Sequence, residues 1–173
     1  MKFAKKFKIN KRTISLKHPT YFIADIAANH DGSLKRAKEL IWLAKKAGAD
    51  AAKFQHFLAD EIVSDYGFKK LGNLGHQKKW KDSVFKIYEK YSLNRNWNLE
   101  LINEAKKAKI DWFSTPYDYE TVANLNKYLP IYKIGSGDIT WINFLKFIAS
   151  KKKPIIIAAG ASTMGDVVRA INS

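Results

Sequence analysis

Tyr21-Phe22-Ile23-Ala24-Asp25-Ile26-Ala27, then the polar turn Asn29-His30-Asp31-Gly32, then 33–48, then Ala51-Ala52-Lys53-Phe54-Gln55: this stretch decides how the chain folds. Its first and last segments are apolar runs of strand length. Between them Leu34, Ala37, Leu40, Ile41 and Ala44 recur at helical spacing, which makes one helix face apolar. Ser33 stands where an N-cap hydroxyl is favoured, and Gly48 where a helix ends in a left-handed residue. Strand, helix and strand joined by short links require a crossover, so the strands run parallel and the helix covers a sheet face.

Outward from there the same unit repeats. An irregular stretch over 56–79 precedes predicted helices at 80–91 and 96–107. Strand three is Asp111-Trp112-Phe113-Ser114, ending at Thr115-Pro116, and a helix follows over 119–128. Pro130 leads into strand four, Ile131-Tyr132-Lys133-Ile134, with a helix near 142–150. Strand five is Pro154-Ile155-Ile156-Ile157-Ala158, and a last helix starts after Ser162-Thr163. Five βα units are expected, an α/β class. An open doubly wound sheet and a TIM (β/α)8-type barrel both begin this way. The barrel is favoured because polar residues recur at the carboxyl ends of the strands, and because no G-x-G-x-x-G turn follows strand one. Residues 7–14 alternate apolar and polar around Asn10-Lys11, a hairpin pattern. The expected division is therefore 1–20 as a hairpin capping the barrel bottom and 21–173 as a partial barrel. Closure takes eight strands, so five leave two apolar edges unpaired, and a fragment or one part of a larger assembly is expected.

Composition narrows the function classes. No cysteine is present, which excludes disulfides, thiol catalysis and cysteine-ligated metals. No apolar run approaches the ~20 residues of a membrane span, and 1–20 lacks the apolar core of a secretory signal, so a cytoplasmic protein is expected. The net charge of +15 invites a nucleic-acid reading. Against it, lysines outnumber arginines 27 to 4 and lie on helix faces, as with Lys35, Lys38, Lys45 and Lys46. Reading of phosphates and bases leans on arginine forks. No nucleic-acid partner is expected, whereas an anionic small substrate suits the field.

The strand ends carry the chemistry. Lys53 and Lys133 each interrupt an apolar strand, where an ammonium group needs an anion. Two of them in equivalent positions make a trap for a multiply charged anion; snorkelling, or pairing with Asp25 or Asp138, is the plainer alternative. Thr115 and Ser136 are strand-end hydroxyls, and Gly135-Ser136-Gly137 would let amides approach an anion, although a simple turn is the better explanation of that tripeptide on its own. Gly160-Ala161-Ser162-Thr163 opens a helix, with Ser162 or Thr163 an ordinary N-cap or an anion donor. Asp25 would orient a lysine or meet sugar hydroxyls. Asn29 and His30 occupy the first βα loop, where a histidine is more often a hydrogen-bonded structural residue than a metal ligand, and His56 and His76 in the second are possible substrate contacts. His18 reads as inert, no histidine pair has metal-ligand spacing, and Trp42, Trp80, Trp97, Trp112 and Trp141 are expected to pack helices on the sheet.

Five ordered blocks then carry a resemblance. Residues 23–32, 48–55, 114–118, 132–140 and 160–163 resemble the N-acetylneuraminate (sialic acid) synthase family, over nearly the whole chain. The resemblance implies a TIM barrel, a homodimer and a following antifreeze-like domain. It also implies condensation of phosphoenolpyruvate with N-acetylmannosamine or a related amino-sugar aldehyde, assisted by a divalent metal (Mn2+ or Mg2+). On its terms Lys53, Lys133, Thr115 and Ser136 hold phosphoenolpyruvate; Asp25 faces the sugar; Asn29, Gln55, Gly160 and Ser162 complete the site. The chain departs from the family pattern in three ways. Asp25 replaces a glutamate, Ala158-Ala159-Gly160 lacks a common serine, and the metal-binding histidines and the second domain lie later than residue 173. The isolated 173 residues are therefore expected to be inactive. Alternatives are another phosphoenolpyruvate-dependent 3-deoxy-sugar-acid synthase or aldolase-type barrel, and a non-catalytic basic binding module.

Overall fold

Five parallel strands, each followed by helix, form the body of the protein in a computed structural model that describes residues 4–71, 77 and 79–173. The order is β1 (Phe7–Ile9), β2 (Arg12–Ile14), β3 (Ile23–Ala27), α1 (Leu34–Lys46), β4 (Ala51–His56), α2 (Ala59–Ile62), α3 (Asp65–Leu71) and α4 (Val84–Tyr91). A 3-10 turn at Arg95–Trp97 then leads to α5 (Asn98–Ala108), β5 (Asp111–Pro116), α6 (Tyr119–Leu125), β6 (Tyr132–Ile134), α7 (Ile142–Ala149), β7 (Ile155–Ile157) and α8 (Met164–Asn172).

Local chemistry sets the boundaries. Ser33 Oγ accepts the Arg36 amide and opens α1, and Gly48, at φ 86°, ends it with the Ala49 amide on the Ala44 carbonyl. The stretch after β4 is less irregular than its sequence suggests, since α2 and α3 are short helices within it. The helix expected at 80–91 begins only at Val84, because Ser83 is its N-cap. Lys109 closes α5 in the left-handed region at φ 53°, where no glycine had marked the end.

The strands form a parallel ladder β3-β4-β5 and a parallel pair β6-β7. Among the described residues β6 runs beside β5 without joining its ladder, so one continuous five-stranded sheet is corrected to three plus two. Strand alternation sends Ala52 and Phe54 of β4, Trp112 of β5, and Tyr132 and Ile134 of β6 outward. There they are buried under Ile41, Leu101, Ala105, Val122, Leu125, Phe144 and Ile148 of the helices. The other face of each strand points inward, away from the helices.

β1 and β2 pair antiparallel across Asn10, at φ 50°, and lie at the amino ends of the strands. Asn10 donates to Asp111 at 2.6 Å and Arg12 pairs with Asp50. Tyr21 Oη donates to the second oxygen of Asp111 at 2.6 Å, and the Phe22 amide to Asp50 at 2.8 Å. Two strand-start carboxylates thus hold the N-terminal segment. Burial, followed by the Asp111 hydrogen bond, raises the Tyr21 pKa far above the usual phenol value. Among the described residues no helix is long and apolar enough to cross a membrane.

Candidate functional site

The inward face collects most of the residues singled out from sequence. Asp25, Lys53 and Phe113 form one register row across β3, β4 and β5, with Gln55 and Thr115 in the row above. Lys53 Nζ lies 2.6 Å from Asp25 Oδ1; the lysine side chain is 8% exposed and the aspartate 61%. Asp25 therefore orients the lysine, and among the described residues it is exposed rather than buried. Lys133, half-buried on β6, donates to the Ile134 carbonyl at 2.7 Å rather than to a carboxylate. Burial, and next the charge of Lys53, lowers the Lys133 pKa; Asp25 and Asp138 oppose that shift. The Asp138 carboxyl is raised by burial, with Lys133 pulling the other way. The Lys53 ammonium group is close enough to disfavour the charged form of Lys133, and this fold keeps the two in place. A dianion between them would relieve both.

The hydroxyls divide. Thr115 Oγ1 is buried with no hydrogen-bond partner, and so is Ser162 Oγ. Such an unmet group costs about 1–3 kcal/mol, so each is a natural donor to a ligand oxygen. The N-cap of α8 is Thr163, in a capping box with Asp166, which leaves Ser162 with no capping duty. Ser136 is half-buried in the turn after β6. A Cβ on Gly135 would lie 2.8 Å from Asp138 Oδ2 and 3.4 Å from Tyr117 Oη, so glycine there admits that carboxylate. Neither Gly135 nor Gly137 is left-handed, and the turn alone accounts for the tripeptide. Gly160 is exposed and a Cβ on it would meet nothing.

Asn29 and Gln55 belong to an adjoining cleft of about 520 Å³ at the carboxyl ends of β3 and β4, closed on one side by α4. Asn29 itself is exposed and donates to the Ile26 carbonyl. Gln55 Nε2 donates to Tyr117 Oη at 3.1 Å and so joins the cleft to the lysine rows. Burial, and then Asp138, pushes the Tyr117 phenol up to about 12. Sequence reasoning gave Tyr117 no separate role, and its signal was its place two residues past Thr115 at a strand end.

Three histidines fall elsewhere. His56 is buried on the outward face, its ring bonded to Ser114 Oγ at 2.6 Å and to Asn98 Oδ1 at 2.7 Å, so it is a strut between β4, β5 and α5 and not a substrate contact. His30, fully buried, accepts the Gly32 amide and packs edge-on to Trp97. His18 pairs with Ser15 in the segment after β2, and His76 lies outside the described residues. Trp42 is exposed and donates to Glu104 instead of packing on the sheet, and Trp141, also exposed, stacks on Phe144. Arg95, unremarked in the sequence, bonds Asp118 at 2.8 Å and Glu120 at 2.9 Å, tying the loops that follow β4 and β5. Among the described residues no three His, Asp or Glu side chains are grouped to hold a metal ion.

Comparison with known proteins accords with this geometry. The chain is 39% identical over 160 residues to N,N'-diacetyllegionaminic acid synthase of Campylobacter jejuni, covering 88% of this chain and 46% of that protein. It is 36% identical over 149 residues to pseudaminic acid synthase of the same organism, covering 83% and 42%. The crystal structure of N-acetylneuraminic acid (sialic acid) synthetase from Leptospira borgpetersenii, in complex with citrate, shares the fold. That match has a TM-score of 0.81 at 24% identity, over 96% of this chain and 54% of that one. The chain thus spans about half the length of the curated relatives it matches. The NeuB family profile matches residues 40–173, more than half of the chain, and with these relatives it shows that the chain belongs to the NeuB family.

Proposed function

We propose that the chain supplies the phosphoenolpyruvate-binding part of a nonulosonic acid synthase, a barrel enzyme that joins phosphoenolpyruvate to an amino-sugar aldehyde and releases phosphate. The observation that carries this reading is the pair Lys53 and Lys133 on one inner face, beside the unpartnered Thr115 hydroxyl. The names of the relatives, synthases of legionaminic, pseudaminic and sialic acids, support it.

Phosphoenolpyruvate presents a carboxylate and a phosphate, and two ammonium groups with neutral donors match that charge. Lys53 is held in place by Asp25, while Lys133 donates to a backbone carbonyl and can turn to a ligand. Thr115 and Ser162 would donate to anionic oxygens, with Ser136 and Gly160 at the rim. Asp138, whose carboxyl is raised by burial, would accept or release a proton on this face. In the overall reaction C3 bonds to the aldehyde carbon, water adds at C2, and the C–O bond to phosphate breaks. The described residues do not fit a metal, so no step here runs through one. A divalent metal, closure of the barrel, a homodimer and a cytoplasmic setting belong to this proposal for the whole enzyme. Calorimetric titration with phosphoenolpyruvate tests it: binding by the chain, weakened about 10- to 150-fold in Lys53→Met and in Lys133→Met, is expected. Equal binding by both variants would refute the lysine site.

A further inference from the structure

Alternation past the end of β5 carries a third side chain inward after Phe113 and Thr115, that of Tyr117. Its amide donates to the His56 carbonyl at 3.1 Å and its ring meets Phe57 edge-on at 6.1 Å, so the phenol is fixed in place. On β6 the same alternation sends Lys133 inward, and Gly135 is the next position on that side. The Tyr117 hydroxyl lies over this bare position, where a Cβ would come 3.4 Å from Oη. Asp25 and Asp138 act on the charge of Tyr117 as they do on that of Lys133, so phenol and ammonium group share one neighbourhood.

The hydrogen bonds around Oη decide what it can do. Gln55 Nε2 donates to it at 3.1 Å, which uses the oxygen as an acceptor and turns the O–H away from the amide. Among the described residues no group accepts the hydroxyl proton, and no hydrogen bond joins it to Asp138. Burial, and then Asp138, pushes the phenol up to about 12, so at neutral pH it keeps its proton and remains a donor. A phenol can donate to an anion without adding to the positive charge already set between Lys53 and Lys133.

We infer that Tyr117 is a further binding residue for the anion: its hydroxyl, aimed by Gln55, donates to an anionic oxygen of phosphoenolpyruvate held between Lys53 and Lys133. The inference rests on the function proposed above. A hydrogen bond to a charged oxygen corresponds to about 10- to 150-fold in affinity, so loss of the hydroxyl should weaken binding at least tenfold.

The test is calorimetric titration of the full 173-residue chain with phosphoenolpyruvate, with circular dichroism showing that each variant keeps its helices. Tyr117→Phe retains the ring and its packing and removes only the hydroxyl; it should bind at least tenfold more weakly. Gln55→Met should weaken binding in the parent chain and change little in Tyr117→Phe, because the amide acts through the phenol. The Tyr117→Phe loss should persist when Asp138→Asn is also present. If the parent chain does not bind phosphoenolpyruvate, the underlying function falls. If it binds and Tyr117→Phe binds equally well, the inference alone is overturned. A loss that disappears in the Asp138→Asn background overturns it too, since the phenol would then serve the carboxylate and not the ligand. A Gln55→Met effect of equal size in both backgrounds overturns the aiming by Gln55.

Discussion

Replacing Lys53 by methionine should make the protein more stable and less able to bind its anion. Removing the ammonium group abolishes a burial cost of several kcal/mol, because only 8% of that side chain meets water. What is lost is attraction to Asp25, about 4 kcal/mol at 4 Å in an effective dielectric of about 20, and weaker here because Asp25 is 61% exposed. The abandoned aspartate is hydrated, so it is not stranded. Lys133 also loses a like-charged neighbour. The balance favours Lys53→Met by about 1–2 kcal/mol. With a urea slope near 2 kcal/mol/M, the midpoint should rise by roughly 0.5–1 M. Phosphoenolpyruvate affinity should fall about 10- to 150-fold, the equivalent of one charge-assisted hydrogen bond of about 1.5–3 kcal/mol. Urea unfolding followed by circular dichroism, with calorimetry on the same samples, measures both quantities. A midpoint that drops, with more than about 2 kcal/mol lost, would mean that Lys53 serves the fold and that the binding argument is wrong.

Thr115→Val deletes a buried hydroxyl without a partner at constant volume, so a gain of about 1 kcal/mol in urea unfolding is expected together with weaker phosphoenolpyruvate binding. His56 is depressed to about 4, against about 6.5 when unfolded. Between those values the unfolded chain binds more protons, so stability is complete above pH 6.5 and falls by about 3 kcal/mol on the way to pH 4. Urea midpoints across that range should follow the fall, and in His56→Gln the dependence should flatten. Asp118 caps α6 through the Thr121 amide and hydroxyl and also pairs with Arg95. Asp118→Ala should cost about 3 kcal/mol and Asp118→Asn, which keeps the cap, about 1 kcal/mol, by the same measurement.

Alternation and helical spacing were enough to read the five βα units, because both periods are written in apolar residues that do not depend on distant contacts. Lys53 and Lys133 were legible for the complementary reason: a charge inside an apolar strand has few explanations. The three-plus-two break in the strands was not legible, since ladder pairing depends on how neighbouring strands tilt. His56 illustrates the opposite error. Its place in the second loop suggested a contact, yet one further residue of strand carried it to the outward face, where strand periodicity reverses every side chain. The cleft wall was read only as helix, because rings at 80, 88 and 91 become a surface only when α4 is set against β4.

The two carboxylates at the foot of the strands have a practical meaning for anyone shortening this protein. Asp50 and Asp111 each serve partners on both sides of residue 20, Arg12 with Phe22 and Asn10 with Tyr21. A version trimmed to begin at β3 would keep every repeating unit and still strip each acid of both these donors. It would also remove Ile9, which is buried in the core. The opening segment therefore works as a clasp on the first strands, and labels or fusions belong ahead of it rather than in its place.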